Sequence, residues 1–264
     1  MAKTYKLVAT GMLAACAFIL QIANPVLGLH TGFGMTIDLV AVPVMLALFM
    51  FGVAESIEVL ALATVFIALF APTGIVGALM KFAATAPIII LAAMNIIRKK
   101  GNPGALANVL ILAGGLAAST VLFWLGAWIY DALKDSYLLF FGLLPILAMA
   151  GALYLIAKVS KPVESDYRMF ENSKSFLLVV VAAIIVRGIA MIIANYYFAG
   201  PLYFKMPAEE FIGYITGSDI LFFGKGAAWY IVVFAFNALQ AVVEIAVAWL
   251  LAYKFGLAKR YSNL

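Results

Sequence analysis

The chain alternates long apolar runs with short polar segments, and the length of each run sets the first expectation. Eight runs, at about 6–27, 37–53, 56–71, 75–97, 105–130, 137–157, 175–200 and 227–253, reach or approach the roughly 17–25 residues that a helix needs to cross a bilayer. The second and third are the shortest. Glu55 and Glu58 lie at their junction, where "GVAES" (52–56) reads as a tight turn between two helices. Between 194 and 210 an apolar run gives way to "ANYYFAGPLYFKMPAEE", in which an Asn and two Tyr stand directly before a Gly-Pro pair. Gly200 and Pro201 are expected to end the helix there.

Composition strengthens the membrane reading. The 264 residues are 67% hydrophobic and 11% charged, with a mean hydropathy of +1.13, whereas soluble domains average about 45–50% apolar and about 25% charged. One core cannot hide that much apolar surface, so lipid is the expected solvent. The net charge of +5 does not point to nucleic acid, because its distribution follows the loops. With the N-terminus inside, Lys3, Lys6, Arg98, Lys99, Lys100, Lys158, Lys161, Arg168, Lys174, Lys254, Lys259 and Arg260 fall on the cytoplasmic side. The outside receives Lys134, Lys205 and Lys225, an asymmetry that supports an even number of helices with both termini in the cytoplasm. The expected fold is therefore an all-α integral membrane protein. It is a single membrane domain over 1–264, a polytopic bundle of about eight transmembrane helices.

Several local motifs lead nowhere. "LAAC" (13–16) has the form of a lipoprotein cleavage site, but cleavage would cut a spanning helix in half, and the same holds for a removable signal peptide. The first helix is expected to stay. "FFGKGA" (222–227) lacks the leading Gly and the Ser/Thr of a phosphate loop, so any ATP hydrolysis belongs to a partner. Cys16 stands alone, which excludes an internal disulfide, and no Cys/His metal spacing exists. His30, the one histidine, reads as a solvated loop residue or a proton shuttle. No catalytic set emerges, and Glu55 with Glu58 is thin support for an enzyme.

Polar residues inside apolar runs are costly unless paired or used. Arg187, Met191 and Asn195 fall at i, i+4 and i+8 on the seventh run. Asn237, Gln240 and Glu244 fall at i, i+3 and i+7 on the eighth. Each set shares a helix face that should look into the bundle. Arg187 with Glu244 reads first as a structural intramembrane ion pair. For Asn195, Asn237 and Gln240, a ligand pocket and simple helix-to-helix bonding stay equally open. Amides donate and accept, which suits a neutral heterocycle better than an ion. Tyr196, Tyr197 and Tyr203 fit either an aromatic belt or stacking on a planar ligand.

Four stretches together resemble a known family. They are "TIDLVAVPVMLALFMFG" (36–52), "FAPTGIVGALMKFAATAPIIILAAMNIIRKK" (70–100), "NYYFAGPLYFKM" (195–206) and "FNALQAVVEIAVAWLLAYKF" (236–255). In this order the chain is similar to the substrate-binding S component of energy-coupling factor (ECF) vitamin transporters, closest to the riboflavin-specific kind. Asp38 matches the first of two acidic positions in the family, whose second appears here as Ala41. Lys81 stands where the family usually has Asn, and Gln240 where riboflavin members have Lys. The family has six helices, so a further pair at 105–157 reads as an insertion that preserves orientation.

The resemblance implies uptake of a vitamin, riboflavin foremost, bound from outside without any cofactor. The implied substrate-binding residues are Asn195, Tyr196, Asn237, Gln240, Asp38 and Lys81. The loop "GLHTGFG" (28–34), with Gly28, His30, Gly32 and Gly34, is a candidate gate or a plain turn. The implied partners are a membrane T component and two ATPase subunits, reached through the lipid bilayer. The family's Ala-x-x-x-Ala docking element is absent, but Thr10 with Ala14 and Gly11 with Ala15 supply small residues four apart. The alternatives are an S component for a different small vitamin or precursor, a secondary transporter coupling through Arg187 and Glu244, a polytopic membrane enzyme, or a ligand-free scaffold.

Overall fold

A computed structural model describes residues 2–31, 35–100, 170–171 and 174–262. Contacts group the chain into two units, residues 1–91 with 165–264, and residues 92–164. The expected inserted pair at 105–157 lies outside the described residues, and everything below concerns the first unit.

Five helices among the described residues are long and apolar enough to cross a membrane: Thr4–Leu27, Val53–Phe70, Gly74–Met94, Phe176–Phe204 and Trp229–Lys254. The protein is thus a mostly helical membrane protein. Among the described residues it also contains one small sheet.

Helix α1 (Ala2–Leu27) buries a narrow stripe of Thr10, Ala14, Ala17, Gln21 and Asn24, spaced three and four apart so that one face meets the bundle. Its remaining surface exposes Leu7, Val8, Met12, Ile19 and Ile22, as a lipid-facing helix should. Thr10 and Ala14 are consumed by this internal packing, so half of the expected docking element is unavailable to a partner. Gly11 and Ala15 face outward.

The apolar run at 37–53 does not form one spanning helix. It opens with strand β2 (Thr36–Ile37), paired antiparallel with β1 (Leu29–His30). A turn at Asp38 follows, in which the Val40 N–H donates to Asp38 Oδ1 at 3.0 Å. Only then comes α2, Val42–Met50. Nine residues rise about 13 Å, less than half of the ~30 Å hydrocarbon layer. Eight of the nine are buried, and α2 packs on α1 and on the helices at Val53–Phe70 and Trp229–Trp249. A helix apolar on all sides is stable only when enclosed.

Gly52, at φ 115°, makes the turn into α3 (Val53–Phe70), a backbone shape that other residues resist. Ser56 Oγ donates to Val44 O at 2.9 Å and fastens α3 to α2. Helix α4 covers Gly74–Lys100.

Helix α5 (Lys174–Ala194) packs mainly against α8 (Trp229–Trp249). At Gly188 an added Cβ would collide with the Phe234 ring, so the glycine lets the two helices approach closely. Contrary to expectation, Gly200 and Pro201 do not end this segment. The backbone widens into a π turn at Asn195–Ala199, with the Gly200 N–H reaching Asn195 O, and continues as α6, Gly200–Phe204. The wider turn absorbs a proline whose missing N–H and ring would otherwise break an α-helical ladder. The stop comes at Lys205, in the left-handed region at φ 53°. A short helix α7 (Ala208–Gly217) follows and buries Phe211 and Ile215. Beyond α8 a second π turn (Leu250–Lys254) leads into α9, Leu257–Ser262.

Candidate functional site

One end of the bundle is closed by the β1–β2 hairpin, α6 and α7. Below them lies a cleft with about 140 Å³ of interior space, walled by α1, α4, α5, α6 and α8. Lys6 and Glu55, which pair at 3.3 Å, mark the other end of the bundle. Along α1 that is about 27 Å from Asn24, at ~1.5 Å per residue.

The polar side of the cleft is organised around Asp38. Its carboxylate accepts from the Val40 N–H, from Asn24 Nδ2 at 3.2 Å, from Gln240 Nε2 at 3.2 Å and from the Lys81 ammonium. Gln240 Nε2 also donates to Glu244 Oε1 at 3.0 Å, and Arg187 Nη1 reaches Glu244 Oε2 at 2.5 Å. A carboxylate can only accept, so these bonds set the orientation of the Gln240 amide. The result is one continuous chain, Lys81–Asp38–Gln240–Glu244–Arg187, which joins α4, the turn before α2, α8 and α5. Its two cations and two anions balance. Arg187 and Glu244 are 1% and 0% exposed, a depth at which an unpaired charge would be prohibitive.

Asn195, Asn237, Gln240 and Lys81 all line the cleft, as does Arg187. Asn195 Nδ2 and Asn237 Nδ2 each donate at 2.8 Å to the carbonyl one turn earlier, Met191 O and Val233 O. That leaves their oxygens for other work. Asp38 is not part of the lining. It sits behind the wall, saturated with donors, and acts on the cleft through Lys81 and Gln240. Tyr196 is also absent from the lining: its ring packs on Trp229 and Tyr197 at centroid distances of 5.6 and 4.5 Å. The rings that reach the cleft are Tyr203 and Phe204, which follow the π turn, and Phe211 of α7.

The loop at 28–34 is partly fastened. Thr31 donates to Met35 O through both its N–H (3.0 Å) and its hydroxyl (2.8 Å), and His30 Nε2 lies 3.1 Å from Pro25 O on the exposed side. A Cβ on Gly28 would strike the Asn24 side chain, so this glycine serves close packing. Gly32 and Gly34 lie outside the described residues.

Four polar lining residues were missed by the sequence reading: Gln21, Asn24, Thr36 and Thr73. The signal for the first two existed, since polar residues at i and i+3 in an apolar helix mark a buried face. Among the described residues, Gln21 Oε1, Asn24 Oδ1, Thr73 Oγ1, Arg187 Nε and Asn237 Oδ1 are buried with no hydrogen-bond partner, and these five belong to residues that line the cleft; Thr10 Oγ1, also buried without a partner, lies away from it. Buried polar groups are normally satisfied, so such a concentration calls for an explanation. No group of His, Cys, Asp and Glu suited to a metal occurs among the described residues.

This arrangement defines a class: a helical membrane protein with an amphipathic cleft at one end of its bundle. Comparison of the chain with protein-family models, with curated proteins and with solved structures returns no match.

Proposed function

We propose that the protein is the membrane-embedded substrate-binding subunit of an ECF-type vitamin transporter in the cell membrane, and that riboflavin is its first candidate ligand. The observation that carries this reading is the cleft itself. Its wall combines apolar and aromatic surface (Met80, Met191, Tyr203, Phe204, Phe211) with hydrogen-bonding groups left unpartnered on four elements. Both lining cations, Lys81 and Arg187, already have carboxylate partners, so the cleft favours a neutral guest. A planar heterocycle with N–H, O–H and carbonyl groups answers both features. Energy would come from the T component and its two ATPase subunits. Gly11 and Ala15, on the outward face of α1, offer that partner a close helix approach.

The test is direct. Protein purified from cells grown with riboflavin should be yellow and should quench the fluorescence of added riboflavin. A colourless protein that leaves the fluorescence unchanged removes riboflavin. If another vitamin then co-purifies, the S-component reading survives with a different substrate.

A further inference from the structure

Between α7 and α8 the segment "DILFFGK" (219–225) folds into a small knuckle. Ile220 and Gly224 form a bridge, with the Gly224 N–H donating to Ile220 O at 2.7 Å and the Phe223 N–H to the same oxygen at 2.9 Å. The Gly226 N–H ties the base back to Thr216 O of α7 at 2.8 Å. Ile220 is buried in the core that also holds Met191, Phe211 and Phe236. Phe222, at the tip, has φ +70°, a strained conformation for a bulky residue that persists only where the surroundings impose it. The strain holds outward a side chain that is 76% exposed, flanked by Leu221 and Phe223 at 37% each.

The depth of this knuckle identifies what covers it. The rings of Phe222 and Phe223 lie 6.4 and 5.8 Å from that of Phe236. Phe236 stands seven residues beyond Trp229, the first residue of the α8 span, or about 10 Å along it at ~1.5 Å per residue. The knuckle therefore folds back alongside the apolar part of α8 instead of standing above it. In the same stretch α8 exposes Tyr230 and Ile231. Asp219 and Lys225 are exposed at the base of the knuckle, so it has a polar foot and an apolar tip, the form of an interfacial anchor.

We infer that Leu221, Phe222 and Phe223 are inserted at the headgroup–acyl boundary of the bilayer, on the cleft side of the membrane. There they pin the α7–α8 connection that backs the cleft. This inference does not depend on which ligand the cleft takes.

Spin labelling in phosphatidylcholine liposomes tests it. With Cys16→Ala as background, a nitroxide is placed at Phe222→Cys and, for reference, at the exposed Glu209→Cys. At 222, collisions with oxygen should exceed those with a water-soluble nickel chelate; at 209 the order should reverse. Equal nickel access at the two positions would place the tip in water and overturn the proposal. Protection from both reagents would mean that protein covers the tip, and would overturn it too. Leu221→Cys provides the same measurement, with the same criteria, should the 222 variant fail to fold.

Discussion

Two polar regions share the cleft, and they are built in opposite ways. In the first, Lys81, Asp38, Gln240, Glu244 and Arg187 are joined by hydrogen bonds and ion pairs into a charge-balanced chain that runs from the wall to the two carboxylates behind it. On the wall, Gln21, Asn24, Thr73, Asn237 and the Arg187 Nε keep buried atoms with no partner. Burial penalises both equally, so the difference lies in what each is for. The satisfied chain holds four segments together, and the unsatisfied atoms are, in the proposed function, the ones a guest completes. Arg187 belongs to both, through Nη1 to the first and Nε to the second.

The largest effect should come from breaking the satisfied region. Glu244→Ala strands the Arg187 charge at 1% exposure and should cost about 3–5 kcal/mol of stability, read as a lower melting temperature in detergent. A variant as stable as the parent would mean that the pair carries no structural weight. Asp38→Ala removes the acceptor shared by Asn24, Val40, Lys81 and Gln240. With buried donors left unmet, it should cost about 1–3 kcal/mol by the same measurement.

Substitutions on the wall should separate binding from stability. Asn237→Ala takes away an unpartnered acceptor, so riboflavin affinity should fall by about 1–3 kcal/mol in a fluorescence titration, with a smaller change in melting temperature. The same titration on Gln21→Ala tests whether α1 contributes to the guest, an assignment that the sequence reading did not make. Unchanged affinity in both would end the contrast between the two regions. The smallest effect is expected at the opposite end: Lys6→Ala breaks a pair whose side chains are 40% and 17% exposed. It should move stability by less than about 1 kcal/mol, and less still at high salt.

Much of the fold is visible in hydropathy alone, because lipid demands long apolar helices whatever their packing. The stripes Arg187–Met191–Asn195 and Asn237–Gln240–Glu244 were equally legible, since period and cost together force such residues inward. Other features were not. The run at 37–53 is apolar enough for a span, yet Asp38 draws the chain into a turn and leaves α2 short. Gly200–Pro201 carries a strong stop signal, and the π turn overrides it. Tyr196 and Tyr203 look interchangeable in sequence, but one packs on Trp229 and the other reaches the cleft.

The sequence by itself determined that this is a helical membrane protein and which polar residues of its apolar runs must face inward. Those outcomes follow from solvent transfer and helical period, both local properties of the chain. Only the tertiary structure decided which inward groups satisfy one another and which are left for a guest. Hydrogen bonding depends on distances of a few tenths of an ångström between residues as far apart in sequence as Asp38 and Gln240. No periodicity records such a distance.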